Sequence, residues 1–313
     1  MADSDNSFSI AKSKRIYQFV WKQTASQQIV VCLIALLTLP LTLAPMELQR
    51  RIIDDAVGGS DLRLMAWLVG IYAAVVVAQQ VTKFAYNYYQ GRLSETMVRF
   101  LREKVLHGVD TESEADQEGT VVSMLSAEVE PIGGFAGTAF AQLVTEGGVL
   151  LAVFGYMLYT EFWLAIVAII AFIPQAIATP LVQNRINEKA AKRLVQMREV
   201  GDDAVAVSRG EEARLKSAKR GVRKVFTLRL IIFRLKFALK ATLNLLDHLA
   251  DLAVLGVGGY MVIIGESNIG VVVAFLSGLG QLRSPWRTLI TYFRVVSEIQ
   301  IRFELFKEKV ALR

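Results

Sequence analysis

The sequence predicts an all-α membrane protein built on six long membrane-spanning helices. Hydrophobic residues make up 53% of its 313 residues, more than an ordinary soluble domain carries. Apolar runs of about 20 residues, the length that crosses a bilayer, recur along the chain. The basic residues collect in only some of the segments between those runs, as the positive-inside rule requires.

Residues 1–27 form a polar arm. Within it Ile16, Phe19 and Val20 recur at helical spacing beside Tyr17 and Trp21, a pattern that predicts a short interfacial elbow helix on the inner leaflet. The first apolar run is long enough to span and lacks a small-residue cleavage site after it, so it is expected to stay in the membrane as a signal anchor. The spans read as Gln28 to Leu48, Leu64 to Val81, Phe135 to Leu158, Phe162 to Val182, Thr242 to Ile264, and Ile269 to about Ile290. Pro40 and Pro45 in the first and Pro174 and Pro180 in the fourth are tolerable kinks in a membrane bundle.

Two long connections also read as helix. From Gln80 to Leu106 and from Gln183 to Lys240 the pattern is helical, with Gly201, Gly210 and Gly221 as weak points in the second. Twenty extra residues carry a helix ~30 Å past the bilayer. The spans are therefore expected to continue as rods.

Charge sets the orientation. The arm, the two long connections and the tail hold 32 of the 35 Lys and Arg residues, while the turns at Tyr159–Glu161 and Gly265–Asn268 hold none. Both termini are thus expected on the cytoplasmic side of a cell inner membrane. The net charge of +6 in so apolar a chain points to anionic lipid rather than nucleic acid, and no basic, aromatic-laced nucleic-acid module is present. The single cysteine, Cys32, excludes an intrachain disulfide, and reads as a small apolar residue. The two histidines, His107 and His248, lie far apart and make a poor metal site or His-based triad. No catalytic residues, no metal and no cofactor of its own are expected.

Ionisable residues inside spans are functional suspects. They are Glu146, Asp247, His248, Asp251, Arg283 and Arg287. Measured from the outer turn, Asp251 and Arg283 lie at one depth, ~20 Å down, and Asp247 and Arg287 at another, ~26 Å. Spacing of four keeps each pair on one helix face. Two ion pairs joining the fifth and sixth helices are one reading. They would serve as a structural stitch, or as a charged cavity wall whose pairs close in one state and open in another. Snorkelling to the interface is the other reading.

Several phrases resemble the transmembrane domain of ATP-binding-cassette (ABC) exporters. They are Gly258–Glu266 followed by Ile269–Phe275 and Ser284-Pro285-Trp286; Ile52-Ile53-Asp54-Asp55-Ala56 after the first span; Arg99–Arg102 leading to Gly119 and Leu125–Glu128; and Gly210–Lys216. The resemblance implies that residues 28–300 form a type-1 ABC transmembrane domain and 301–313 the start of a linker, with no nucleotide-binding domain. It implies that the rods end in two transverse coupling helices that dock on ATPase domains. The first would lie near Asp110 to Asp116, including Asp110, Thr111, Glu112, Ser113 and Glu114. The second would lie near Val205 to Glu212, including Val207, Ser208, Arg209, Gly210 and Glu211. The first is acidic where family members often carry aromatics. The resemblance further implies a second six-helix half, as homodimer or heterodimer, with the fourth and fifth helices reaching across to it.

No G-x-x-x-x-G-K-[ST] loop matches. Leu276–Gln281 looks like the ABC ATPase signature, but it lies within a span, carries an extra residue and has no phosphate-binding lysine upstream; small residues for close helix packing explain it. The chain is not expected to bind or hydrolyse ATP alone. ATP and Mg would be held by a partner ATPase. The expected function is the permease subunit of an ABC exporter-type transporter. A non-transporting scaffold or truncated half-transporter is the alternative, and a secondary transporter, for which no internal repeat is seen, a weaker one.

Overall fold

A computed structural model describes residues 15–107, 129–210 and 212–311, all helices and short turns. The helices are α1 (Ile16–Arg51), α2 (Leu62–His107), α3 (Val129–Thr138), α4 (Gly148–Thr160), α5 (Phe162–Ser208), α6 (Ala213–Ile263) and α7 (Ile269–Ala311). Two π-helical turns, Ile52–Val57 and Leu143–Gly147, extend α1 and lead into α4. Helices α2, α5, α6 and α7 have 46, 47, 51 and 43 residues. Each is ~65–75 Å long, about twice the hydrocarbon thickness. Among the described residues, five segments are long and apolar enough to cross a membrane: Ile16–Val57, Leu62–Leu106, Val129–Thr160, Phe162–Ser208 and Arg214–Ile263. Helix α7 has the length, but Gln281 and Arg283 dilute its apolar stretch.

The chain divides into two compact units, one of residues 1–162 and 264–313, the other of 163–263. In the first, α1 breaks at Thr24 (φ −136°, ψ 21°) rather than at Pro40 or Pro45. The Thr24 hydroxyl donates to the Val20 carbonyl at 2.7 Å, taking up an acceptor at the break. The short helix before it is the elbow. Its apolar face differs from the expected one: Ile16, Phe19 and Val20 are fully buried against Met97, Leu101, Ile132, Phe303 and Phe306, not turned to lipid. Trp21 remains exposed. The Ile16 N–H, an orphan at the helix start, donates to Gln300 Oε1 at 3.0 Å. Tyr292 donates its hydroxyl proton to the Ala139 carbonyl, so Tyr17 is the donor in the 2.6 Å contact between the two phenols.

The segment from Ile301 is helical. Helix α7 continues to Ala311, and Phe303 packs on Phe19 with ring centroids 5.1 Å apart. Glu298, Arg302 and Glu304 cover the outer face of the same turns, which is why the stretch reads as polar.

Side-chain contacts set the register of α1 on α2. Gln49 Nε2 reaches the Tyr72 hydroxyl at 3.3 Å, and Gln27 shares a cavity wall with Arg92. The part of α2 level with Gln28–Leu48 therefore runs from about residue 72 to 92, about two turns along the helix from the apolar run at Leu64–Val81.

Glycine sets how closely the helices approach. A Cβ on Gly133 would lie 2.8 Å from the Val98 backbone nitrogen, and one on Gly137 would collide with the Gln90 carbonyl. Ser94 Oγ donates to the Gly134 carbonyl at 3.1 Å between them. This is a small-xxx-small crossing of α2 and α3. Within Leu276–Gln281, a Cβ on Gly278 would meet the Met46 and Met157 methyls at 2.5 and 2.6 Å, so the phrase is a helix-packing site.

At the outer end Asp54, in the first π-helical turn, accepts the Gly270 N–H through Oδ1 at 2.7 Å. It thereby satisfies an orphan donor in the first turn of α7 and places a negative charge on the positive end of the dipole. A Cβ on Gly270 would lie 2.5 Å from the Arg50 carbonyl, so this approach requires glycine.

Replacing Gly134 by Ala meets nothing within 4 Å and should be neutral or stabilising, since Ala is the better helix former by about 1 kcal/mol. Gly133→Ala and Gly137→Ala should instead lower the melting temperature of the purified chain. Asp54→Ala should destabilise by about 1–2 kcal/mol, the cost of a lost cap. Thermal unfolding in mild detergent checks all four.

Candidate functional site

The second unit is a helical hairpin of α5 and α6 whose closed end carries the expected second coupling segment. Among the described residues the segment forms no helix of its own. Val207 and Ser208 lie in the last turn of α5, Arg209 and Gly210 form the connecting turn, and Glu211 lies outside the described residues. Gly210 has φ +96°, the left-handed region in which glycine carries no Cβ penalty. Its N–H bonds the Val207 carbonyl at 3.0 Å, the Arg209 N–H bonds Val205 and Ala206, and the Ser208 hydroxyl donates to Val205 at 2.7 Å. The last carbonyls of α5 are thus satisfied without extending the helix. Ser208, Arg209 and Gly210 are exposed, as is Val205.

An ion pair closes the hairpin behind the tip. Arg214 Nη1 donates to Asp203 Oδ1 at 2.9 Å. Asp203 is buried although its partner is largely exposed. A hydrogen bond from Ser217, with the Arg214 contact beside it, holds the Asp203 carboxyl below its ordinary value. One turn further along α6, a Cβ on Gly221 would strike the Val200 side chain, so the two rods meet closely there. The first expected coupling segment, with Asp110, Thr111, Glu112, Ser113 and Glu114, lies outside the described residues.

Within the spans, Asp247 is buried and accepts a hydrogen bond from Gln175 Nε2 at 2.8 Å. Gln175 was not a sequence candidate; its one signal is an amide following Pro174 in an otherwise apolar run. Asp251 is half-buried and His248 exposed on the same helix. Arg283 is half-buried and Arg287 exposed on α7. Glu146 sits half-buried in the second π-helical turn, within the field of Lys83. The register of α2 sets Lys83 level with the apolar run of α1. The adjacent Thr145 bonds Tyr86 of α2.

The outer end of the first unit holds a charged cluster that the loop count of bases concealed. Glu47 accepts from Arg50 at 2.7 and 2.9 Å, from Arg51 at 2.7 Å and from the Tyr156 hydroxyl at 2.9 Å. It ties α1 to α4. Buried Gln28 does the same at the inner end, donating to the Ala136 carbonyl at 2.6 Å.

The sequence profile of the ABC transporter transmembrane region matches residues 28–207, more than half of the chain. The ATP-dependent lipid A-core flippase of Yersinia pestis bv. Antiqua (strain Antiqua) is 23% identical over 172 residues, covering 53% of this chain and 29% of that protein. The protein of the same name from Escherichia coli (strain K12) is 20% identical over 171 residues, with the same shares. The matched part of the chain thus spans less than a third of these relatives. The profile match ends at the hairpin tip, before Gly258–Glu266 and Ile269–Phe275.

The Asp203 contact gives the hairpin a pH dependence of definite sign. A carboxyl with a depressed folded value contributes stability that is present above its unfolded value, about 3.9, and is lost as pH falls through the folded value. Hydrogen exchange at the Arg209, Gly210 and Leu215 amides, corrected for its intrinsic rate, should therefore speed up below about pH 4. Asp203→Asn should be faster at neutral pH and lose this acid-dependent step.

Proposed function

Because this chain belongs to the family of ABC transporter transmembrane regions, we propose that it is the permease subunit of an ATP-driven, exporter-type transporter and forms half of a translocation pathway. The observation that carries the proposal is the α5–α6 hairpin. From Val182 to Ser208, α5 continues ~39 Å beyond the span, and α6 runs a similar distance back from Ala213 to Thr242. A stiff, hydrogen-bonded tip at that distance is suited to receive a push from a water-soluble domain. A secondary transporter has no use for it.

In this reading α7 is the sixth crossing, and both termini are cytoplasmic in a bacterial inner membrane. Val207, Ser208, Arg209, Gly210 and Glu211 dock on one ATPase domain, and Asp110 to Glu114 supply a second contact. ATP and Mg bind to that ATPase, and this chain neither binds nor hydrolyses ATP by itself. A second six-helix half completes the pathway. The division of the fourth and fifth helices into a unit of their own supports the exchange of that pair between halves. Closure of the ATPases draws the rods together, and the spans alternate between inward and outward access. The name of the relatives, lipid A-core flippase, makes an amphiphilic lipid the first cargo class to try.

Gentle detergent extraction and mass identification of co-purifying proteins test the proposal. A stoichiometric ATP-binding protein is expected. Val207→Asp with Arg209→Glu should reduce its recovery more than tenfold at unchanged helix content. A homodimer that carries no ATPase would replace transport with a scaffold role.

A further inference from the structure

A groove in the first unit combines two features that seldom coincide by chance. A cavity of about 260 Å³ lies between α1 and α2, lined by Ser26, Gln27, Val30, Val31, Tyr89, Arg92 and Leu93. A second hollow of about 460 Å³ continues it downward along Gln27, Arg92, Glu95, Thr96 and Arg99. Gln27 and Arg92 line both, so the two form one channel. Its upper part is aliphatic and aromatic; its lower part carries two arginines, a carboxylate and a hydroxyl.

The depth is fixed by the first helix. Gln27 immediately precedes the apolar run, three residues after the break at Thr24. The apolar part therefore lies in the inner leaflet and the polar part at its headgroup level. Arg92, Thr96 and Arg99 follow one face of α2 at intervals of four and three, with Tyr89 one turn above. The cations thus point to the level where phosphates lie. Two groups oppose the cationic character. Glu95 lines the same hollow, and Glu103 lies 3.5 Å from Arg99. The latter is an exposed pair on a single helix, with side chains 76% and 59% accessible, of the kind that holds weakly and yields to a phosphate. Two arginines against one lining carboxylate leave the polar end net positive.

We propose that this groove holds an anionic glycerophospholipid of the inner leaflet, its phosphate on Arg92 and Arg99 and one acyl chain along Val30, Val31 and Tyr89. Arginine gives a phosphate oxygen paired N–H donors. The aliphatic walls exclude a free anion as the intended occupant. The site uses only α1 and α2; its place in the inner leaflet rests on the proposed cytoplasmic orientation of the termini, while the binding chemistry does not.

Native mass spectrometry of the full chain, delipidated in mild detergent, tests this with phosphatidylglycerol, phosphatidylcholine and inorganic phosphate as separate probes. Phosphatidylglycerol should bind more tightly than phosphatidylcholine. Arg92→Gln with Arg99→Gln should weaken phosphatidylglycerol about thirtyfold and phosphatidylcholine, whose choline already offsets its phosphate, by much less, so that the preference is lost. Both arginines are exposed, so the melting temperature should hold. The variant Arg63→Gln, at the outer end, should behave as wild type. Equal binding of the two lipids, or a double variant that keeps its preference, would overturn the assignment. So would inorganic phosphate at millimolar level displacing the lipid, which would make the site an anion site alone.

Discussion

Inside a bilayer a backbone N–H finds no water, so it must be paired within its own helix. That constraint shapes this chain more than any side-chain contact does. Once begun, a helix cannot stop within the hydrocarbon, and nothing obliges it to stop at the surface. Helices α2, α5, α6 and α7 run on for about twice the bilayer thickness. The described departures from α geometry fall at the Thr24 break, the two π-helical turns and the connecting turns. At the outer side, where α7 begins, the orphan amides of a helix start still need acceptors. One is provided by Asp54, presented from the π-helical turn that ends α1. The acid serves a helix 216 residues further along the chain, and it fixes where α7 starts relative to α1.

Lipid tails are as apolar as leucine, so burial in the membrane interior gives helices little reason to associate with one another. Close packing and polar contacts must provide it. The glycines do the first. Gly133 and Gly137 bring α3 onto α2, Gly278 brings α7 onto α1 and α4, and Gly221 brings α6 onto α5. The buried polar groups do the second, with Gln28 on the Ala136 carbonyl and Gln175 on Asp247. Below the membrane the ordinary hydrophobic effect resumes. There the elbow and the end of α7 meet in an aromatic core that includes Phe19, Phe303 and Phe306.

The rods were legible because a helical pattern without proline can be read at any length. The spans were legible as apolar runs; on α2 that run begins about two turns away from the level of its neighbour α1. Hydropathy locates a run and not its register, and it took the Gln49–Tyr72 contact to set that. The elbow's periodicity correctly gave one apolar face, but periodicity is the same whether lipid or protein covers the face. Charges at Glu298, Arg302 and Glu304 hid the buried phenylalanines between them. Asp54 could be matched as part of a phrase, yet its task was invisible because its partner is remote in sequence. Gln175 and Glu47 were missed for opposite reasons. The first is neutral and escaped a search for charges, and the second lay at the end of a run whose neighbours had been counted as loop bases.

The hairpin of α5 and α6 brings these strands of argument together. A pair of helices joined only at the tip would splay or slide when pushed, because exposed apolar faces along it resist neither motion. This pair carries one polar contact near its end, Asp203 with Arg214, and another, Gln175 with Asp247, within the span. On α5 the two are 28 residues apart, ~42 Å. A slide of α6 by one turn would break both contacts and would move Val200 off the space that Gly221 leaves and onto a residue that carries a side chain, Ser217 or Val225. Two contacts at separate levels remove the sliding freedom that one would leave. The carboxylate within the membrane matters most, since leaving it without its amide would cost more there than at the aqueous tip. The two contacts therefore hold α5 and α6 in one register from near the tip to the level of Gln175.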